Sequence, residues 1–164
     1  MSQILREKTG LVYTSSVITE YYEHMGNISF YVESDNKKII KDGNKNGLLV
    51  MLINIINDLI KNGITDEEIR VAKGYKHGKI TMHLENSDTI TSYNGKQYLL
   101  YGSSDKIVNY KDYYDRFYKN ITTKEINDVI LKYFKKQNMN VCMVGEKLPQ
   151  LNLVKNICER LHTK

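Results

Sequence analysis

The chain of 164 residues has no tryptophan, one proline and two cysteines, and each scarcity removes a class of protein. A single proline, Pro149, argues against a disordered proline-rich linker. Cys142 and Cys158 form no close pair and no CxxC, so neither a disulfide scaffold nor a thiol-redox motif is available. Their apolar neighbours Val141, Met143 and Ile157 predict reduced, buried thiols in an intracellular compartment, cytoplasmic or organellar. Arginine is also rare: Arg6, Arg70, Arg116 and Arg160 are the full set. The net charge of +5 therefore comes from scattered lysines, in a composition rich in Lys, Asn, Ile and Tyr. Nucleic-acid faces cluster their basic residues and favour Arg for bidentate contacts, so no nucleic-acid partner is expected. No signal peptide is evident. The longest apolar run, residues 48–60, is broken by Asn54, Asn57 and Asp58 and falls short of the roughly 18 residues a span requires. A soluble protein with no membrane span is the expectation.

Common catalytic motifs are missing too. The four histidines, His24, His77, His83 and His162, include no pair at HExxH or HxxEH spacing, and no Cys joins a His at zinc-finger spacing. His77 and His83 fall on one predicted helix, six residues apart and so on different sides. No metal ligand is expected in the chain. The ten glycines form neither GxGxxG nor GxxxxGK, and no GxSxG elbow occurs. The 13 tyrosines outnumber three phenylalanines, and most fall at helical spacing, as residues lining the edge of a core would.

What is present is a soluble-domain pattern, long enough for one sizeable core. Residues 12–22 and 27–34 read as an antiparallel strand pair, with Ile28, Phe30 and Val32 facing a core and Gly26 taking positive φ in the turn. Residues 37–46 are polar and read as a loop or a frayed helix start. Residues 47–62 form a nearly all-apolar helix, expected to lie deep on the hairpin's face and to stop at Gly63. Thr65 and Glu68 form a capping box for a helix to about Leu84, with Ile69, Ala72 and Ile80 inward and close packing suspected at Gly74 or Gly78. A helix over 87–101 ends at Gly102, and a short aromatic helix spans 110–118. A second capping box at Thr122 and Glu125 opens another helix. Residues 139–144 read as a third strand, and Leu151, Val154, Ile157 and Leu161 mark a last amphipathic helix. The order predicts an α+β fold, an antiparallel sheet packed by several helices.

At the N-terminus, Arg6 and Tyr13 flank Gly10 where a helical turn meets a strand. Neither type is needed there for folding. A guanidinium can grip carbonyl oxygens and a tyrosine hydroxyl can donate to an oxyanion. On composition alone the pair reads as a surface arginine and a packed tyrosine.

Taken in order, several segments share a register. Leu5-Arg6-Glu7-Lys8-Thr9-Gly10-Leu11-Val12-Tyr13 resembles the LREKxGLxY segment of pitrilysin/insulinase-type metallopeptidases, the inverzincin group that includes mitochondrial processing peptidase. The likeness continues through Glu67-Glu68-Ile69-Arg70-Val71-Ala72-Lys73, with Gly78 and Leu84-Glu85, and through Gly95-Lys96-Gln97-Tyr98-Leu99-Leu100-Tyr101-Gly102. It then takes in Ile121-Thr122 and Met139-Asn140-Val141-Cys142-Met143-Val144-Gly145. The resemblance implies the half-domain that carries no zinc, over residues 1–145, with residues 146–164 an added helical extension. It also implies that a strand and a helix expected before the Arg segment are missing. Such a half closes on a zinc-bearing half with HxxEH, in the same polypeptide or a separate subunit, around a peptide substrate. By that resemblance Arg6 and Tyr13 hold the substrate and its oxyanion, zinc sits in the partner half, and no catalytic residue lies in this chain. A catalytically inactive scaffold, like the processing-peptidase-related core subunits of the respiratory chain, is the alternative within the same family.

Overall fold

A computed structural model describes residues 3–162, apart from the side chain of Asp42. The fold is α+β, with helices predominating over small antiparallel sheets. The chain divides into two compact units, one made of the residues before Ile64 and after Asp128, the other of Ile64–Asp128.

In the first unit a π-wound turn, Gln3–Lys8, leads into strands β1 (Thr14–Tyr21) and β2 (Gly26–Glu33). They pair antiparallel with Thr14 opposite Glu33 and Tyr21 opposite Gly26. The connection is closed by the Tyr22 amide, which donates to the Met25 carbonyl at 2.8 Å. Gly26 lies in the strand and not at positive φ, a correction to the sequence reading. Its role is one of space, because a Cβ there would stand 2.9 Å from the Glu20 carbonyl oxygen. Strands β3 (Lys41–Asp42) and β4 (Lys45–Asn46) make a minimal hairpin around Gly43 within the expected loop. Helix α1 (Leu48–Asn62) then starts at Gly47, whose buried backbone passes so close to Ile40 that a Cβ would meet its carbonyl carbon at 2.2 Å. Gly63, at φ 68°, ends the helix as expected.

Two cores hold this unit. Leu49, Val50 and Ile53 of α1 pack with Val154 and Ile157 of helix α6 (Leu151–Cys158). The C-terminal segment therefore shares its core with α1. Asn57 fixes the end of that segment, donating to the Arg160 carbonyl at 2.9 Å and accepting from the His162 amide at 2.7 Å. The second core joins Leu5, Leu11, Val12 and Leu48, with Val32 the hairpin's contribution. Phe30 adds an edge-on contact to Phe134 at 6.1 Å. Ile28, expected inward with them, is exposed.

The third strand does not form. Among the described residues, 139–144 have no ladder partner, and the sheet of β1 and β2 has two strands. Met139 and Met143 instead pack on the α1–α6 core, while Val141 and Val144 face outward. A β-rich composition states how side chains can be buried, and a ladder still needs a neighbouring edge. Cys142, expected buried, is exposed as part of that segment.

The second unit contains α2 (Asp66–His83), α3 (Ser87–Tyr101), α4 (Tyr113–Phe117) and the first residues of α5 (Thr123–Tyr133). The Thr65–Glu68 capping box is complete, and Asn86 caps α3 through the Thr89 amide at 2.9 Å. Gly102 ends α3 in the left-handed region, and Thr122 and Glu125 satisfy each other's amides at the start of α5. Ile69 and Ile80 point inward, but Ala72 is exposed. Gly74 and Gly78 are not close-packed either, since a Cβ at each would meet nothing within 4 Å.

Candidate functional site

The N-terminal corner is built from its buried residues outward. Leu5 is fully buried, and Leu11 and Val12 join it in the second core of the first unit. Between them Gly10 takes φ 61°, where a side chain would be strained. The Gly10 amide donates to the Arg6 carbonyl at 3.0 Å, and the Leu11 amide to the Leu5 carbonyl at 2.9 Å. That nested pair is the end of a glycine-stopped helix, widened by one residue because the turn is π-wound. Thr9 Oγ1 closes on the Leu5 carbonyl at 3.0 Å, and Lys38 Nζ donates to the Gly10 carbonyl at 3.0 Å. From the hairpin side, Ser34 Oγ donates to the Leu11 carbonyl and the Tyr13 amide to the Glu33 carbonyl at 2.8 Å. The backbone of the corner is thus satisfied from three directions.

The heads of Arg6 and Tyr13 take no part in this. Arg6 is exposed, and Tyr13 is 66% exposed. Among the described residues no hydrogen bond or ion pair engages either side chain, nor links the two. Strand alternation places Tyr13 on the same hairpin face as Val17, Tyr21, Ile28, Phe30 and Val32, of which Val32 packs on the second core and Phe30 on Phe134. Val17, Tyr21 and Ile28 are exposed at 53%, 65% and 47%. The tyrosine expected on composition to be packed is instead exposed, on a face that is covered at Val32 and open toward the turn. Chemically, the corner offers a cationic fork and a phenol on an anchored backbone.

The histidines lie elsewhere. His24 is within 3.8 Å of Glu23 at the hairpin turn, and His77 rests against the Tyr114 ring at 4.5 Å. His83 Nδ1 is 3.0 Å from the Tyr110 hydroxyl. Among the described residues no group of three or more His, Cys, Asp or Glu could hold a metal ion. Burial pushes the Cys158 thiol up, with Glu159 adding to it.

Two features of the second unit were not anticipated. Tyr93, Tyr110, Tyr113, Phe117 and Tyr118 form a ring cluster centred on Tyr113, with centroids 4.9 to 5.9 Å apart. Burial, reinforced by neighbouring tyrosines, pushes the Tyr93 hydroxyl up to about 12, and this hydroxyl is enclosed without a partner. The spacing of Tyr110, Tyr113, Tyr114 and Tyr118 carried that signal as an i, i+3, i+4 set. The other is a groove of about 420 Å³ along α2, lined by Gly74, Tyr75, Gly78, Lys79, Met82 and His83. Glycines four residues apart could have announced it.

No protein-family model matches the chain, and no curated protein matches it. No single helix among the described residues is long and apolar enough to cross a membrane.

Proposed function

We propose that this chain is the substrate-binding, non-zinc half of a pitrilysin/insulinase-like zinc metalloendopeptidase, and that Arg6 and Tyr13 grip the peptide. The supporting observation is the division of labour in residues 5–13: Leu5, Leu11 and Val12 are buried, while Arg6 and Tyr13 project with unengaged heads. In this reading the Arg6 guanidinium holds a substrate carbonyl, and the Tyr13 hydroxyl donates to the oxyanion of the tetrahedral intermediate. The zinc and its activated water belong to a partner half bearing HxxEH. The exposed apolar residues Val17, Tyr21 and Ile28, farther along the same hairpin face, support contact with an extended peptide or with that partner.

Combining the chain with an HxxEH-bearing half and following peptide cleavage tests the reading. Tyr13→Phe is expected to lower kcat by roughly a hundredfold or more, as loss of an oxyanion donor does, with little change in KM. Arg6→Ala is expected to raise KM and lower kcat together. Unchanged turnover in both variants would overturn the site. Cleavage that never appears with any zinc half would leave the scaffold reading of the same family in its place.

A further inference from the structure

We propose that Tyr110 and His83 form a redox site, in which Tyr110 gives an electron to a one-electron oxidant and His83 takes the phenol proton. The site lies within the second compact unit and does not depend on the Arg6–Tyr13 reading. His83, at the end of α2, brings Nδ1 to 3.0 Å from the Tyr110 hydroxyl, and both residues are half-buried. That distance is within reach of direct proton transfer. A phenol is a stronger donor than acceptor, so Nδ1 accepts and the imidazole carries its own proton on Nε2. The two rings lie 25° from parallel with centroids at 6.3 Å. Burial, with Tyr113 beside it, pushes the Tyr110 hydroxyl up, so the resting phenol is protonated.

Losing an electron makes a phenol strongly acidic, so the ease of oxidation depends on where its proton can go. The oxidant, an oxygen-centred radical or a high-valent metal complex, takes one electron and is reduced by one. The Tyr110 O–H bond breaks, its proton forms an N–H bond at His83 Nδ1, and a neutral tyrosyl radical faces an imidazolium. Neighbouring rings feed this position. Tyr93 stands edge-on to Tyr110 at 4.9 Å, Tyr113 is stacked on it at 5.9 Å, and Tyr118 meets Tyr113 at 5.6 Å. The Tyr93 hydroxyl is enclosed without a partner, so a radical cation formed there keeps its proton and takes an electron from Tyr110 instead. His77 on Tyr114, at 4.5 Å, is a contact between rings, without a hydrogen bond among the described residues, and offers no such transfer. Exposure alone would select other positions, since Tyr75, Tyr13 and Tyr21 are 72%, 66% and 65% exposed.

The test oxidises the full chain, with the exposed Cys142 alkylated, by flash-generated ruthenium(III) tris-bipyridine. Electron paramagnetic resonance after rapid freezing reads the tyrosyl radical. Most of the signal is expected on Tyr110 and should be lost in Tyr110→Phe. His83→Gln keeps a hydrogen-bond acceptor but cannot take the proton, so the radical should move to the exposed tyrosines. A hydrogen bond that served packing alone would leave the radical where exposure puts it in every chain. A signal shared out by exposure and undiminished in Tyr110→Phe would therefore overturn the proposal. So would a radical that stays on Tyr110 in His83→Gln. Should Tyr110→Phe fail to fold, spin trapping with peptide mapping locates the radical in the unsubstituted chain and in His83→Gln.

Discussion

The two compact units are stabilised by different chemistry. In the first, aliphatic side chains from the N-terminal corner, α1 and α6 form continuous cores. In the second, only Ile69, Ile80 and Val108 are buried among the apolar residues, and interlocking tyrosine rings supply much of the packing. The difference sets what each can offer. Aliphatic packing uses no polar heads, so Arg6 and Tyr13 stay exposed with no side-chain partner among the described residues. Aromatic packing brings phenol groups inside with the rings, where Tyr93 is enclosed without a partner. The tyrosine at the corner is an available donor, and Tyr93 in the cluster is a structural one.

The largest expected effect separates buried from projecting residues within the corner. Leu5→Ala should destabilise the first unit by about 2–5 kcal/mol, the range for emptying a buried leucine site. Tyr13→Phe should stay within about 0.5 kcal/mol, as exposed substitutions do. Urea denaturation compares them, and equal costs would show that Tyr13 is a packing residue.

Alkali should strike the second unit first. The folded Tyr93 pKa is raised, so the stability from its neutral form is whole below the unfolded phenol value of about 10. It is lost as the pH rises through about 12, because the unfolded state gives up the proton earlier. Phenolate absorbance should lag for Tyr93 and then rise with loss of α3 helicity. Tyr93→Phe should move that transition upward, and an unmoved transition would remove Tyr93 as its cause.

The same substitution should have opposite signs at two glycines. Gly10→Ala, forced into the left-handed region, should destabilise by about 1–2 kcal/mol. Gly74→Ala, in a regular helix with open space, should stabilise by up to about 1 kcal/mol. Thermal melting reads both, and a destabilising Gly74→Ala would mean that this side of α2 is already covered in solution.

The smallest effect concerns the helix starts. The Thr65 amide and hydroxyl hold the Glu68 carboxyl below its usual range, and Thr122 does the same for Glu125. With folded values lowered, these anchors are complete above the ordinary carboxylate range and weaken as the pH falls through the folded values. Carboxyl NMR titrations of Thr65→Ala and Thr122→Ala should return Glu68 and Glu125 toward ordinary values. The Thr65 amide survives in Thr65→Ala, so Glu68 should return only part of the way, and an unmoved Glu125 would dismiss the Thr122 hydroxyl as the cause.

Where the determining atoms are close in sequence, they were legible. Thr65 and Thr122 satisfy amides three residues onward, and Gly63 and Gly102 close helices through bonds to residues four back. Gly10 between a leucine-bearing turn and a β-branched run marked the corner that carries Arg6 and Tyr13. Such interactions need no distant partner, so residue type and spacing suffice to state them.

Neighbours remote in the chain decided the rest. Residues 139–144 have strand-like composition, but Met139 and Met143 are held by the α1–α6 core, and Cys142 is turned outward with the rest of that segment. Gly26 is required by the Glu20 carbonyl across the hairpin, not by a turn. Ala72, Gly74 and Gly78 follow a buried-helix pattern, yet no packing closes over them. Which surface a side chain meets depends on the atoms that arrive there from elsewhere, and only tertiary packing brings those atoms into place.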